Sequence, residues 1–386
     1  MGEGPAWGKL QLMIEGAPSV TLWYAAYAYL FVFAAVASAI LSRLAVGLGG
    51  RTGALDMPAG RKDHTESVPH LGGAAIYAAM LLAILAHVII ARALISAGSA
   101  PGLPPEFIDA LRGVRVTSTR LAALVVGGGL VALLGFVDDM RPMPAAAKFA
   151  GQIAVAGLVV GLGVRATLFV AHPVFGAILS LLWIVGVTNA FNFLDHMDGL
   201  AAGVALVSGA LFLLCAVLHG QLFVSAVLAV FCGCLAGFLT QNRHPARLFM
   251  GDCGSHFVGF TMACLTILAT FYTYDRPTPL AAAMPLLILG VPLFDAGVVV
   301  VRRLRAGRSF WVGDRTHLSH RLVDLGMSVP GAVRTVYLLT FAVGAPALLL
   351  GSLNWWGAAL VLLQAAAIFL LLLRLEAAGS RRGASG

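Results

Sequence analysis

Charge is what this sequence has least of. Of its 386 residues only 11% are Asp, Glu, Lys or Arg, 60% are hydrophobic, and the mean hydropathy is +0.92. A soluble protein carries about 25% charged residues, most of them on its surface. The shortage excludes a soluble enzyme, a disordered chain and an ordinary nucleic-acid binder. It predicts an all-α polytopic membrane protein, with lipid as the solvent for the outer surface. Cysteine is scarce too: Cys215, Cys232, Cys234, Cys253 and Cys264 are an odd number, mostly within apolar stretches. Their spacing fits neither a disulfide framework nor a metal cluster, so they read as small packing residues. The N-terminus lacks the basic-then-apolar layout of a cleaved signal peptide. Internal repeats are also missing, which leaves an inverted-repeat transporter without support. No linker is long enough to separate domains, so residues 1–386 are expected to form a single integral-membrane domain.

Apolar runs of about 20 residues, long enough to span, fall near 20–48, 71–97, 117–137, 146–164, 175–193, 200–219, 221–240, 256–274, 279–301, 333–351 and 354–374. About eleven transmembrane helices put the termini on opposite sides. One alternate set of connections holds 18 of the 25 Lys and Arg residues. The positive-inside rule makes that set cytoplasmic, with the N-terminus outside and the C-terminus inside. The same bias accounts for the net charge of +8 without a nucleic-acid partner. Residues 98–116 read as an outside loop carrying a short surface helix. Pro285 and Pro292 predict a bent ninth helix that opens a groove to lipid.

The few ionisable residues gather in the connections assigned to the cytoplasm, and in a membrane protein such residues are functional candidates by default. Asp138 and Asp139 are adjacent at a helix end, which requires a metal ion, Lys148 or a proton to relieve their repulsion. Asn189, Asn192, Asp195 and Asp198 precede Gly199. The steps of three from Asn192 to Asp195 to Asp198 place these oxygens on one face of a helix or tight turn, and such ligands suit Mg²⁺ or Mn²⁺. Gly251-Asp252-Cys253-Gly254-Ser255 is a glycine-punctuated loop that permits close backbone approach to a ligand. It offers Asp252 as a metal ligand and Ser255 as a helix cap. Arg302, Arg303, Arg305 and Arg308, followed by Asp314-Arg315-Thr316-His317-Leu318-Ser319-His320-Arg321, form a basic loop suited to phosphate. One face thus has the composition of a metal-dependent site for an anionic substrate.

In this order, these motifs resemble the polyprenyl-phosphate N-acetylhexosamine-1-phosphate transferase family. The resemblance extends from Asp56 to Arg321. It includes Arg61-Lys62-Asp63-His64, Pro69-His70-Leu71-Gly72-Gly73 and Gln152 alongside the clusters above. It is closest to the bacterial branch that primes O-antigen, teichoic acid or other surface glycans with GlcNAc-1-phosphate. The peptidoglycan branch, which transfers phospho-MurNAc-pentapeptide, is the alternative within the family. An anionic-solute transporter is the alternative outside it. Two positions depart from the pattern: His196 stands where members commonly have glycine, and Ser319 where they commonly have histidine. His196 either adds a ligand contact or narrows the sugar pocket, and the residues do not choose between these.

The resemblance implies a reaction of a UDP-N-acetylhexosamine with undecaprenyl phosphate at the cytoplasmic face of the bacterial inner membrane. It also implies Mg²⁺ (or Mn²⁺) as cofactor and a homodimer as assembly. Metal binding falls to Asp252 and Asn192. Catalytic roles fall to Asp138, Asp139, Lys148, Asp195, Asp198 and His320. Substrate binding falls to Lys62, His64, Asn189, Arg303, Arg305, His317, Ser319 and Arg321, with Asn242 at a uracil-binding position and Phe249 at a stacking one. For Asp138 and Asp139 three roles stay open: proton acceptor, covalent nucleophile, or electrostatic partner of Lys148 and the metal. Direct attack by the lipid phosphate, with Asp139 in support, is the favoured course.

Overall fold

The computed structural model describes residues 18–52, 55–56, 68–96, 105–166, 172–269, 271, 278–307 and 317–382. Among these residues thirteen α-helices follow in order: α1 Pro18–Thr52, α2 Gly72–Ser96, α3 Pro105–Met140, α4 Ala145–Gly161, α5 Pro173–Leu194, α6 Leu200–Leu218, α7 Leu222–Asn242, α8 Gly251–Leu268, α9 Met284–Ile288, α10 Gly290–Arg305, α11 Leu318–Asp324, α12 Val329–Gly344 and α13 Trp355–Arg382. Every apolar run read from the sequence lies largely on helix. Among the described residues, eight helices are long and apolar enough to cross a membrane, and nine if the bent pair described below is one span. The shorter α4 and α8 occupy the fourth and eighth apolar runs. At 1.5 Å per residue α4 is roughly 26 Å long, a little under the hydrocarbon thickness.

One expectation is corrected. Residues 105–116 are not a separate surface helix, because α3 runs unbroken from Pro105 to Met140. Proline suits a first helical turn, where its missing N–H leaves no bond unmade, and no second proline follows before Met140.

The centre of the bundle is α8, buried continuously from Cys253 to Thr266. A helix that is apolar on every side belongs in such a place. Its neighbours reach it through glycine. A Cβ on Gly73 of α2 would overlap the Gly254 backbone, one on Gly135 of α3 would overlap the carbonyl of Asp252, and one on Gly259 would lie 2.7 Å from Thr188 Cα of α5. Close approach through small residues is how helices gain packing energy where lipid removes the hydrophobic drive. On the far side of α7, Gly233 and Gly237 admit the backbone of α1, and Ser38 Oγ donates to the Cys234 carbonyl at 2.6 Å. All five cysteines are buried and free.

The two-residue strands β1 (Leu55–Asp56) and β2 (Val68–Pro69) pair antiparallel. The chain after β2 then docks on the start of α8. Phe249 N donates to the Pro69 carbonyl, Gly72 N to the Phe249 carbonyl and Gly73 N to the Met250 carbonyl, at 2.8–3.0 Å.

The expected bend is present. The segment Pro279–Ile288 and helix α10 meet at 70°. Pro292 has no N–H to give the Ile288 carbonyl four residues back. That carbonyl accepts instead from Ser208 Oγ of α6, at 3.1 Å.

Candidate active site

The polar clusters meet at one end of the bundle, where α3, α5 and α10 finish and α4 and α8 begin. Asp138 and Asp139 solve their mutual repulsion in different ways. Asp138 Oδ2 pairs with Lys148 Nζ at 2.5 Å, and its Oδ1 accepts from Met143 N at 2.6 Å. Asp139 turns to the first amides of α8: its two oxygens accept from Asp252 N (2.8 Å) and Cys253 N (3.0 Å). Unpaired amides and the positive end of the helix dipole favour a carboxylate there. Gly251, at φ +69°, leaves room for it, since a Cβ would come within 2.7 Å of Asp139 Oδ2. The cap expected from Ser255 is therefore supplied by α3. Ser255 lies buried one turn into α8 and accepts from Asn192 Nδ2 at 3.0 Å.

Lys148 Nζ also lies 2.5 Å from Asp252 Oδ2, so one ammonium joins two carboxylates from α3 and α8. Asp252 Oδ1 accepts from Asn192 Nδ2 at 2.7 Å. One turn earlier on α5, Asn189 Nδ2 donates to Gln152 Oε1 of α4 at 2.6 Å.

Asn192, Asp195 and Asp198 do not share a helical face. α5 stops at Leu194, and Gly199 at φ +74° turns the chain into α6. Asp198 faces away, accepting from Ala246 N (3.1 Å) and lying 2.8 Å from His244 Nδ1. No described residue donates a hydrogen bond to the Asp195 side chain. Burial and the carboxylates of Asp252, Asp139 and Asp198 raise it well above the ordinary range, as expected where a cation would relieve like charges.

Asn242 is buried and bonded at both ends of its amide. Its Oδ1 accepts from Gly199 N at 3.0 Å and its Nδ2 donates to the Leu248 carbonyl at 2.9 Å. It ties the turn before α6 to the segment leading into α8. Tyr337 Oη of α12 closes the same turn by donating to the Gly199 carbonyl at 2.5 Å. The ring of Phe249 is half-buried beside this segment.

The basic side is carried by α10 and α11. Arg303 is buried with its guanidinium 5.6 Å from the centre of the Phe193 ring, a cation–π arrangement. Arg305 is exposed, as its position two residues on requires. Asp295 of α10, at 3% exposure, was legible only as a lone carboxylate inside an apolar run, and it organises this side. Its Oδ2 lies 2.7 Å from His317 Nδ1, and its Oδ1 accepts from Leu318 N at 2.7 Å. His196 contacts Ser319 and stacks with His317 and His320. Burial and His317 lower His196 to about 3, so the ring is neutral. Arg321 and His320 are half-buried on α11. Lys62 and His64, with Arg308, Asp314 and Arg315, lie outside the described residues.

Among the described residues no three His, Cys, Asp or Glu side chains converge to hold a metal ion unaided. Mg²⁺ does not require them, since one or two carboxylates with waters and substrate phosphates are its usual shell. Asp252 Oδ1 and the Asn192 amide, 2.7 Å apart, fit such a partial shell once the amide turns its oxygen inward.

Known proteins resemble this chain over most of its length. Residues 121–270, from α3 to just past α8, match the family model described as glycosyl transferase family 4. The probable undecaprenyl-phosphate N-acetylglucosaminyl 1-phosphate transferase of Bacillus subtilis (strain 168) is 31% identical over 330 residues, 82% of either chain. A decaprenyl-phosphate N-acetylglucosaminephosphotransferase of Mycolicibacterium smegmatis is 33% identical over 333 residues, 78% of this chain and 77% of the relative. An undecaprenyl-phosphate alpha-N-acetylglucosaminyl 1-phosphate transferase of Escherichia coli O157:H7 is 27% identical, covering 72% and 71%. Motif order, a helical membrane bundle and identity over most of both chains lead to one conclusion: the chain belongs to the polyprenyl-phosphate N-acetylhexosamine-1-phosphate transferase family, and is an integral-membrane sugar-1-phosphate transferase.

Proposed function

We propose that the protein transfers GlcNAc-1-phosphate from UDP-GlcNAc to undecaprenyl phosphate, the priming step of a bacterial surface glycan. A phosphate oxygen of the lipid attacks the β-phosphorus of the donor, the bond from that phosphorus to the bridging oxygen breaks, and UMP leaves. The observation that carries this reading is the shared ammonium: Lys148 joins Asp138 and Asp252. Three further carboxylates or amides (Asp139, Asn192, Asp195) crowd the same helix ends.

Two anions must meet here, so the chemistry is mostly positioning and charge neutralisation. Asp252 and Asn192 would hold Mg²⁺, which would offset charge on the donor diphosphate. Lys148 is placed to leave a carboxylate for a phosphate oxygen. Arg303, His317, His320 and Arg321 supply positive charge and donors on the opposite wall, with Asp295 fixing the His317 ring. The lipid phosphate is largely ionised near neutral pH, so direct attack needs no strong base. Asp139 supports it by holding the first turn of α8, and therefore Asp252, in place. Asn242 and Asp198 act as braces of the nucleotide end.

The Lys and Arg bias supports a cytoplasmic site in the bacterial inner membrane, with eleven passes. The 70° break after Ile288 supports a lipid entry groove. A homodimer is proposed from the family alone. Purified protein with Mg²⁺, undecaprenyl phosphate and a panel of UDP-sugars provides the test. UMP release with UDP-GlcNAc is the expected result. Release only with UDP-MurNAc-pentapeptide moves the protein to the peptidoglycan branch, and solute flux without release removes the reading.

A further inference from the structure

The two departures from the family pattern touch each other. His196 Nε2 and Ser319 Oγ lie 2.6 Å apart, across 123 residues of sequence. The other ring nitrogen, Nδ1, is 2.8 Å from the Phe193 carbonyl. A carbonyl only accepts, so Nδ1 carries the proton and Nε2 is the acceptor; the Ser319 hydroxyl then donates to it. Both nitrogens of His196 are thereby used, and no polar ring atom remains for a sugar or a phosphate. Ser319 is 2% exposed and spends its proton on His196, so it has none to offer a phosphate. The His196 ring also stacks with His317 (centroids 4.3 Å, planes 28° apart) and with His320 (4.8 Å, 25°). It is the one ring common to both stacks.

We propose that His196 is a positioning residue: with Ser319 it replaces a histidine of the α11 motif by an imidazole delivered from the turn after α5, and it sets the planes of His317 and His320 against the donor diphosphate. The ring-sized space beside Ser319 is filled from the opposite wall. This explains why glycine at 196 and histidine at 319 are absent together, since a histidine at 319 would meet the His196 ring and a glycine at 196 would leave a hole. It also speaks against a ligand contact through the His196 nitrogens, because both are engaged within the protein. The proposal rests on the transferase reading above.

A reciprocal swap tests it. His196→Gly and Ser319→His are each expected to raise KM for the UDP-sugar about tenfold with a smaller change in kcat, the mark of weakened ground-state binding. The double variant is expected to return to within about threefold of wild type, since coupled neighbours are non-additive. Ser319→Ala, which only deletes a hydroxyl, is expected to give a smaller rise and to fold normally. A double variant as impaired as the product of the singles overturns the proposal, as does wild-type KM in His196→Gly. Binding of inorganic pyrophosphate, by titration calorimetry, reads the same pair without turnover. The pattern of weakening and recovery is expected there as well. Equal pyrophosphate affinity in all four proteins overturns the proposal, whereas failure of the wild type to release UMP counts only against the transferase reading.

Discussion

Asp139→Asn separates a positional role for this aspartate from a chemical one. The carboxylate now accepts two backbone N–H groups at the start of α8, at 2.8 and 3.0 Å. Asparagine keeps one acceptor and turns an NH₂ toward the other amide. One hydrogen bond to a charged group is lost, worth about 1.5–3 kcal/mol. At a pH high enough to ionise the buried carboxyl, loss of its charge at the helix N-terminus adds about 0.3–1 kcal/mol. The sum is roughly 2–4 kcal/mol. Each kcal/mol lowers the melting temperature by about 2–4 °C in chains of 150–250 residues, and by less in a longer one. A fall on the order of 5 °C is therefore expected in detergent, followed by intrinsic fluorescence. Turnover falls with it, because the same turn carries Asp252. An undisplaced melting curve with turnover abolished would refute this reasoning, since it would make Asp139 a chemical participant on an indifferent scaffold.

Lys148→Met leaves Asp138 and Asp252 facing each other without their ammonium; UMP release is expected to fall by roughly 10²–10³-fold, and Lys148→Arg to recover little of it, because a planar fork cannot replace a point charge held between two carboxylates. Recovery to near wild type with arginine would count against the geometry. Chelation by EDTA is expected to abolish turnover and Mg²⁺ to restore it, while full activity in excess chelator would remove the Asp252 and Asn192 assignment. Asp195→Asn is expected to raise the melting temperature at neutral pH in EDTA. The raised carboxyl of Asp195 makes its ionisation a cost that is absent below the ordinary carboxylate range and grows as pH rises toward the folded value. The gain should therefore vanish at acid pH; a gain that persists there would point to packing. Gly135→Ala places a methyl against the Asp252 carbonyl and is expected to reduce both folded yield, by size-exclusion profile, and turnover. A monodisperse, fully active variant would show that α3 and α8 can move apart.

Much of this site was legible in the sequence because lipid leaves so few places for a polar residue. Asp138, Lys148, Asn192 and Asp252 stood out against apolar neighbours, and they converge. What the sequence could not show was which oxygen meets which donor. The repeating step of three from Asn192 to Asp198 read as a shared face, but α5 ends at Leu194, and the turn that follows sends Asp198 to His244. Ser255 had the chemistry of a cap, yet a cap can come from another helix, and Asp139 reaches α8 from 113 residues away. Asn242 was placed by pattern as a nucleotide contact, whereas its burial and its bonds to Gly199 and Leu248 depend on tertiary neighbours. The bend at Pro292 was local and could be foreseen; its stabilisation by Ser208 required the fold.

The glycines around α8 bear on how accurately Asp252 is held. Gly73, Gly135 and Gly259 bring main chain against main chain, with no flexible side chain interposed. A side chain acts as a cushion: it absorbs small displacements by changing rotamer, and in doing so it blurs the position of whatever it supports. These three contacts have no cushion, so they behave as fixed stops in a mechanical assembly. Displacements imposed on the outer helices, by lipid thickness for example, are therefore damped before they reach the carboxylate. The accuracy of the site is thus set by backbone dimensions, which sequence drift on the lipid-facing surface leaves unchanged.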